Sequence, residues 1–206
     1  MGFYDQCILP RVINCACGTR PIMKQREKVV PLATGTVLEI GIGTGLNLPY
    51  YDPTQIERLI GLDPSEESWE LAAERAAHLD FDVEFIGLPG EQIPLAEDSV
   101  DTVLVTFAMC TIPDPVAALQ GMARVLRPHG KLIFCEHGKA PDPSVGKWQD
   151  RINPFWRRIA GGCNLNRDIP SLLAAGGFDI LAMDRSYLPG TPRFAGYNFW
   201  GSARPA

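Results

Sequence analysis

Three closely spaced glycines are the first residues whose type and spacing could do chemistry. Gly41, Gly43 and Gly45 lie in the segment VLEIGIGTG at residues 37–45. The preceding residues 36–40 (TVLEI) are apolar and β-branched, a composition typical of a buried strand. Glycines after such a strand permit positive φ angles and let the backbone approach a ligand closely. The segment therefore predicts a ligand-binding loop, with a tight turn that binds nothing as the alternative.

Two carboxylates near this loop indicate which ligand would suit it. Asp63 follows Gly45 by 18 residues, at the end of a second predicted strand, where an acid can accept hydrogen bonds from both hydroxyls of a ribose. Glu39 lies just before the loop, and a carboxylate there favours a cationic ligand over a pyrophosphate. S-adenosylmethionine fits, because it carries a sulfonium, an ammonium and a ribose but no phosphate. The G-x-G-x-G spacing also differs from the G-x-G-x-x-G of nicotinamide-dependent oxidoreductases.

Composition restricts the class of protein further. The chain has 206 residues, 46% of them hydrophobic, and a net charge of −5, values typical of a globular protein without the basic field that broad nucleic-acid binding requires. No signal-peptide pattern opens the sequence and no run of about 18 apolar residues occurs, so we expect a cytoplasmic protein with reduced thiols. Cys15 and Cys17 form a C-x-C pair without a matching second pair, so no metal site is predicted.

Apolar runs and helical patterns alternate along the chain, which indicates a mostly parallel α/β sheet with helices on both faces. Helical sequence is also expected directly after the glycine loop. Residues 1–206 are expected to form a single domain, because no linker long enough to separate domains occurs. The predicted strands are residues 36–40, 58–62, 82–86, 102–106, 131–136, 178–185 and 194–202, and the predicted helices are residues 65–79, 115–126, 147–159 and 169–175.

Several segments, in this order, resemble class I S-adenosylmethionine-dependent methyltransferases, in particular a small-molecule branch that includes quinone-biosynthesis C-methyltransferases. They are VLEIGIGTG (37–45), GLDPS (61–65), PGEQIPL (89–95), DSVDTVLVTFAMCTI (98–112) and MARVLRPHGKLIFCEHG (122–138). Farther along, EHG (136–138), WQDRINPFW (148–156) and GGCNLNRD (161–168) resemble bacterial relatives of the methyltransferase-like seven proteins, which are alkyl-thiol methyltransferases, and some bacterial phospholipid N-methyltransferases.

The resemblance implies a Rossmann-like sheet of seven strands in the order 3-2-1-4-5-7-6, with the last strand antiparallel. Residues 1–35 would form an N-terminal helical cap, and residues 139–168 a helical insertion over the acceptor pocket. The implied cofactor-binding residues are Glu39, Gly41, Gly43, Gly45 and Thr106 at the methionine part, Asp63 at the ribose, and Pro64, Gly90 and Glu91 near the adenine.

The candidate residues for methyl transfer lie in the second half of the chain. His137 is the candidate general base, since it follows the fifth strand at the sheet edge where ligands bind and imidazole titrates near neutral pH; the alternative is a loop histidine that holds backbone. Glu136 is either a buried group that orients its neighbour or the substrate, or a strand-end acid. The candidate substrate-binding residues are Cys110, Trp156, Asn166 and Arg167. Each has a structural alternative. Cys110 could be a small apolar core residue, and Trp156 could pack in the core with Trp148 and Phe155. Asn166 could cap the following helix, and Arg167 could belong to a solvated face.

The predicted activity is methyl transfer from S-adenosylmethionine, which leaves S-adenosylhomocysteine, to a small-molecule or lipid-like acceptor. A thiol acceptor is slightly favoured over a phospholipid amine or a quinone carbon. A non-catalytic S-adenosylmethionine binder and a nicotinamide-dependent oxidoreductase are more distant alternatives. The sequence leaves the oligomeric state and any peripheral membrane contact open.

Overall fold

A seven-stranded sheet organises the computed structural model, which describes residues 14–206. The strands are β1 (Gly35–Ile40), β2 (Ile56–Leu62), β3 (Val83–Ile86), β4 (Val100–Thr106), β5 (Leu126–His137), β6 (Phe178–Tyr187) and β7 (Tyr197–Pro205). Their spatial order is β3-β2-β1-β4-β5-β7-β6. The pairs among β1 to β5 are parallel, and β7 is antiparallel to both of its neighbours. The predicted fold class and strand order are confirmed.

The sheet is flanked by α-helices, of which five lie wholly within the described residues, and their sequences explain where several of them begin. They are α1 (Arg20–Val29), α2 (Glu66–Ala76), α3 (Pro115–Val125), α4 (Pro143–Ile159) and α5 (Ile169–Ala175). The side chains of Ser65, Asp114 and Asp168 accept hydrogen bonds from backbone N–H groups in the first turns of α2, α3 and α5. Since Asp168 caps α5, the alternative that gave this role to Asn166 is wrong.

Alternating side chains along each strand fill a core on both faces of the sheet. In β4, Leu104 belongs to one buried cluster, and Val103 belongs to the other, as expected because successive strand residues point to opposite faces. Helix α1 packs on the Leu104 face through Val29. Helices α3 and α5 cover the other face through Met122 and Leu173.

The connection between β1 and β2 differs from the prediction. Instead of an α-helix after the glycine loop, the chain makes turns at residues 41–47 and a short 3₁₀-helix at Leu48–Tyr50. Pro49 and Pro53 explain the difference, because proline lacks the N–H that continues a helix and disfavours helical backbone at the residue before it.

Residues 1–13 of the predicted N-terminal cap lie outside the described part of the chain. Within residues 14–206, no helix combines the length and the apolar character needed to cross a membrane.

Candidate active site

A cavity of about 380 Å³ opens where three parallel strands end. Ile40 of β1, Leu62 of β2 and Thr106 of β4 all line it. Between β1 and β4 the order of the strands reverses, since β2 lies on one side of β1 and β4 on the other. Open α/β sheets bind ligands at the carboxyl ends of their strands next to such a reversal. The cavity is therefore where this fold places a ligand.

The three glycines of the loop have positive φ angles of 73°, 50° and 72° at Gly41, Gly43 and Gly45. A Cβ on Gly41 would lie 2.5 Å from the Cβ of Ala108, and a Cβ on Gly45 would lie 2.7 Å from Cδ1 of Leu48. At Gly43, which lines the cavity, the nearest atom would be 3.8 Å away. Packing therefore requires glycine at the first and third positions, whereas the second keeps the cavity wall without a side chain.

Asp63 connects the end of β2 to this loop. Its Oδ2 accepts a hydrogen bond from the backbone N–H of Gly43 at 3.0 Å, and its Oδ1 accepts one from the N–H of Ser65 at 2.9 Å. Burial raises the pKa of the Asp63 carboxyl above its usual value, although both hydrogen bonds lower it. Each oxygen keeps a further lone pair, so the carboxylate can also accept hydrogen bonds from a ligand's hydroxyls.

A buried polar network lies beneath the loop. Glu39 is 1% exposed and accepts hydrogen bonds from Nδ2 of Asn47 at 2.9 Å and from the hydroxyl of Tyr51 at 2.6 Å. Burial raises the pKa of Glu39 to about 7. Arg26 donates to Oδ1 of Asn47 at 2.7 Å and to the hydroxyl of Thr106 at 2.6 Å. Asn47 thus connects Glu39 to Arg26 and Thr106, which line the cavity, whereas Glu39 is not among the lining residues.

Arg26 is a cavity residue that the sequence analysis missed. It lines the cavity at 5% exposure, its guanidinium lies 5.2 Å from the centre of the Phe107 ring, and its Nε is buried without a hydrogen-bond partner. A free N–H on a buried guanidinium suits a carboxylate ligand. No local motif marks Arg26, because it lies in α1, before the first strand.

Phe107 has a strained backbone conformation that only the structure shows. It follows the last residue of β4, lines the cavity and has a φ of 53°. This left-handed backbone costs a residue with a side chain about 1–2 kcal/mol. Such strain in a non-glycine residue is typical of functional sites.

These groups fit S-adenosylmethionine. Asp63 can accept from the ribose hydroxyls, the free N–H of Arg26 can donate to the amino-acid carboxylate, and Gly43 leaves room for the backbone to approach. Of the predicted cofactor residues, the cavity is lined by Gly41, Gly43, Asp63, Pro64, Gly90, Glu91 and Thr106, and it is not lined by Glu39 or Gly45. Among them, Glu91 also accepts a hydrogen bond from the N–H of Asp114, which precedes α3.

His137, the predicted base, contacts a cysteine and does not line the cavity. Its Nε2 lies 3.3 Å from Sγ of Cys163, and the Sγ of Cys110 belongs to the same cluster. Burial lowers the pKa of His137, but the hydrogen bond and charge of Cys163 raise it to a net value above the usual one. Hydrogen bonds from Cys110 and then from His137 lower the pKa of Cys163 despite its burial.

Glu136 holds the loop that follows β4. It is fully buried, and its Oε1 accepts hydrogen bonds from the N–H groups of Ala108 at 2.8 Å and Met109 at 3.1 Å. Burial raises the pKa of Glu136 to about 7. Glu136 is thus a buried group that holds this loop, and its predicted role in orienting its neighbour or the substrate stays a prediction.

The remaining predicted substrate residues also lie outside the cavity lining. Arg167 donates to the carbonyl oxygens of Met109 and, at 2.7 Å, of Ile112. Asn166 donates to Oδ1 of Asp150 at 2.7 Å. Both side chains thus bind groups of the protein itself, and their roles in substrate binding stay predictions.

The aromatic residues of α4 divide into two groups. Trp156 is half-buried and packs edge-to-face against Phe194, with ring centres 6.0 Å apart. Trp148 is 51% exposed and Phe155 is 66% exposed. The alternative that Trp148 and Phe155 pack in the core is therefore wrong.

Comparisons with known proteins identify the family of this chain. A family profile described as a methyltransferase domain matches residues 38–134. The human thiol S-methyltransferase TMT1B is 35% identical over 176 residues, which cover 80% of this chain and 71% of the human protein. A phosphatidylethanolamine N-methyltransferase from Cereibacter sphaeroides is 30% identical over 55% of this chain and 57% of its own length.

Among solved structures, a SAM-dependent methyltransferase from Leishmania major has the same fold, with a TM-score of 0.71 and 15% identity over 98% of this chain and 80% of its own. Sequence, fold and cavity lead to one conclusion: the chain belongs to the class I S-adenosylmethionine-dependent methyltransferases, and it is an enzyme that uses this cofactor for methyl transfer.

Proposed function

We propose that this enzyme methylates the sulfur of a small-molecule thiol. The observation that carries the proposal is the 35% identity to the human thiol S-methyltransferase TMT1B over 80% of the chain. The identity to the phosphatidylethanolamine N-methyltransferase is lower and covers less of the chain. The thiol is therefore the acceptor that the relatives favour.

The side of the cavity formed by the loop after β4 supports a thiol for a second reason. Its lining residues are Phe107, Ala108, Thr111, Ile112 and Pro113, together with Gly161 after α4. These residues include no carboxylate and no imidazole that could act as a general base. A thiol ionises with a pKa of about 8.5, so it needs less help from a base than a phenol at about 10. A cavity wall without a general base therefore suits an acceptor that ionises without one, as a thiol does.

We assign the cofactor contacts as part of the same proposal. S-adenosylmethionine, when bound, supplies an electrophilic methyl group on a sulfonium. Asp63 would hold the ribose, and Arg26 the carboxylate of the methionine part. Pro64, Gly90 and Glu91, which also line the cavity, would lie along the adenine.

An apolar wall also favours the transfer step. The positive charge of the sulfonium disappears as the methyl group leaves, so surroundings that exclude water lower the barrier. Positioning the acceptor sulfur in line with the methyl group supplies much of the remaining rate.

A phospholipid amine is the second candidate acceptor, and the outer surface of α4 favours it. Trp148 and Phe155 are exposed there, and so are the basic residues Arg151 and Arg158. Exposed aromatic and basic side chains on one helix are typical of a helix that lies on a lipid surface. We propose peripheral membrane contact through this helix only as part of the second candidate.

An acceptor panel tests the proposal. The protein is incubated with S-adenosylmethionine carrying a deuterated methyl group and, in separate reactions, with an alkyl thiol, an aryl thiol, phosphatidylethanolamine vesicles and a demethylated quinone. We expect labelled thioether as the main product by mass spectrometry. A higher kcat/KM for the lipid or the quinone than for every thiol would refute the proposal.

Two glycine variants serve as controls for this assay. Gly43→Val places a side chain in the cavity and should abolish labelling of every acceptor. Gly177→Val introduces similar backbone strain, at a φ of 83°, on an exposed glycine with no atom within 4 Å of its added Cβ. Labelling with Gly177→Val should match the wild-type protein, which separates loss of the cavity from loss of the fold.

A further inference from the structure

Two thiols and an imidazole form a compact cluster beside the cavity. The ligand atoms of Cys110, His137 and Cys163 all lie within 4.8 Å of one another. Cys110 is buried, and the other two residues are half-buried. The proposed methyl transfer uses none of these three groups directly, because none of them lines the cavity.

The fold holds this cluster together from three distant segments. Strands β4 and β5 are adjacent and parallel, so Cys110, just after β4, lies near His137 at the end of β5. Asn164 then attaches the segment after α4, because its backbone N–H and its side-chain Nδ2 both donate to the carbonyl oxygen of Cys110 at 2.9 Å. Cys163 is thereby fixed beside the other two.

The distances match those of a tetrahedral metal site. Zinc binds sulfur at about 2.3 Å and imidazole nitrogen at about 2.0–2.1 Å, which places two sulfurs about 3.8 Å apart and a sulfur and a nitrogen about 3.5 Å apart. Here Nε2 of His137 is 3.3 Å from Sγ of Cys163, and no pair of ligand atoms exceeds 4.8 Å. Shifts of about 1 Å or less would complete the geometry.

Buried polar atoms without partners add a second observation. Nδ1 of His137 and both amide atoms of Asn198 are buried and have no hydrogen-bond partner. Asn198 is 1% exposed and pairs with His137 in the register of β5 and β7. Buried polar groups are normally satisfied, so several unpaired ones next to a thiol cluster point to a ligand.

We propose that Cys110, His137 and Cys163 bind one Zn²⁺ ion and leave its fourth coordination position to a water molecule or another ligand. Two cysteine thiols and one imidazole are the donor set that zinc prefers, whereas magnesium and calcium require oxygen ligands. Zinc binds two thiolates and a neutral imidazole, so the protons that the three groups carry leave to solvent on binding and the two thiolates neutralise the charge of the dication. The site lies outside the cofactor cavity and does not depend on which acceptor is methylated.

Metal analysis of the purified protein tests the proposal. The protein is prepared reduced, without an affinity tag of histidines and without chelators, then dialysed against Zn²⁺ and passed through a desalting column. We expect close to one zinc per chain by mass spectrometry of the elements. Cys110→Ser, His137→Ala and Cys163→Ser should each raise the Kd for zinc more than about tenfold.

Cys15→Ser is the matched control, because Cys15 is an exposed free cysteine outside the cluster. It should retain wild-type zinc content. Circular dichroism establishes whether each variant folds. Cobalt substitution of the wild-type protein gives an answer independent of the variants, since we expect thiolate-to-cobalt charge-transfer absorption and the visible bands of tetrahedral Co²⁺. Substoichiometric zinc after dialysis, equal zinc in Cys163→Ser and Cys15→Ser, or absence of the cobalt bands would each overturn the site.

Discussion

Replacing Asp63 by asparagine is expected to weaken the binding of S-adenosylmethionine by about 10- to 150-fold. Both carboxylate oxygens of Asp63 accept hydrogen bonds from backbone N–H groups, one from Gly43 and one from Ser65. In the variant, one oxygen becomes an NH₂ group, which cannot accept from either of them. The variant therefore loses one charge-assisted hydrogen bond to the loop or to the ribose. Such a bond contributes about 1.5–3 kcal/mol, which gives the stated range in Kd.

Isothermal titration calorimetry with S-adenosylmethionine measures this effect, and thermal unfolding reports whether the variant is folded. Glu57→Gln is the matched control, since Glu57 is an exposed carboxylate of the same strand β2 at the end away from the cavity. It should bind the cofactor like the wild-type protein. A folded Asp63→Asn protein whose Kd lies within about threefold of the wild-type value would refute the assignment of Asp63, since threefold is less than 1 kcal/mol.

Two further predictions concern the same part of the sheet. Burial raises the pKa of Glu39 to about 7, above about 4.3 in the unfolded chain, so its contribution to stability is present at low pH and is lost as the pH rises to 7. In urea unfolding at about pH 5 and about pH 7.5, Glu39→Gln should remove about 2 kcal/mol of that loss, and an unchanged pH dependence would contradict the assignment. Gly41→Ala should lower the unfolding temperature more than Gly190→Ala. Both glycines have a φ near 73°, so the backbone strain is similar, but only at Gly41 would the added Cβ lie 2.5 Å from another atom, the Cβ of Ala108. Equal shifts in the two melting curves would mean that the contact with Ala108 relaxes without cost.

The strands could be predicted because their signals are local, whereas their order followed from the resemblance to the methyltransferase family. Runs such as residues 36–40 and 102–106 are continuous and apolar, as strands buried on both faces must be. The α-helix expected after the glycine loop is absent because Pro49 and Pro53 prevent it, and these prolines were visible in the sequence. The ends of β5 and α4 were predicted less well, since packing and not composition extends them to Leu126 and Pro143.

The candidate site likewise contains residues that could be predicted from the sequence and residues that could not. Gly43 and Asp63 could be predicted to lie at the cavity because Asp63 directly follows β2 and Gly43 belongs to the glycine loop that follows β1. Arg26 could not, because it reaches the cavity from a helix that carries no motif. The cysteines that are close in sequence, Cys15 and Cys17, gave a weak metal signal, and neither belongs to the group of Cys110, His137 and Cys163 found among the described residues.

The loop after β4 connects the proposed metal site to the cofactor cavity. Phe107 and Ala108 line the cavity, and Cys110 belongs to the cluster only two residues farther along the chain. Glu136 holds the N–H of Ala108, and Asn164 holds the carbonyl of Cys110, so the loop is fixed from both sides. A metal ion that joins Cys110 to two other segments would reduce the freedom of this loop before the cofactor binds. Because coupling between two binding sites is reciprocal, S-adenosylmethionine should tighten zinc binding by the same factor by which zinc tightens the binding of S-adenosylmethionine.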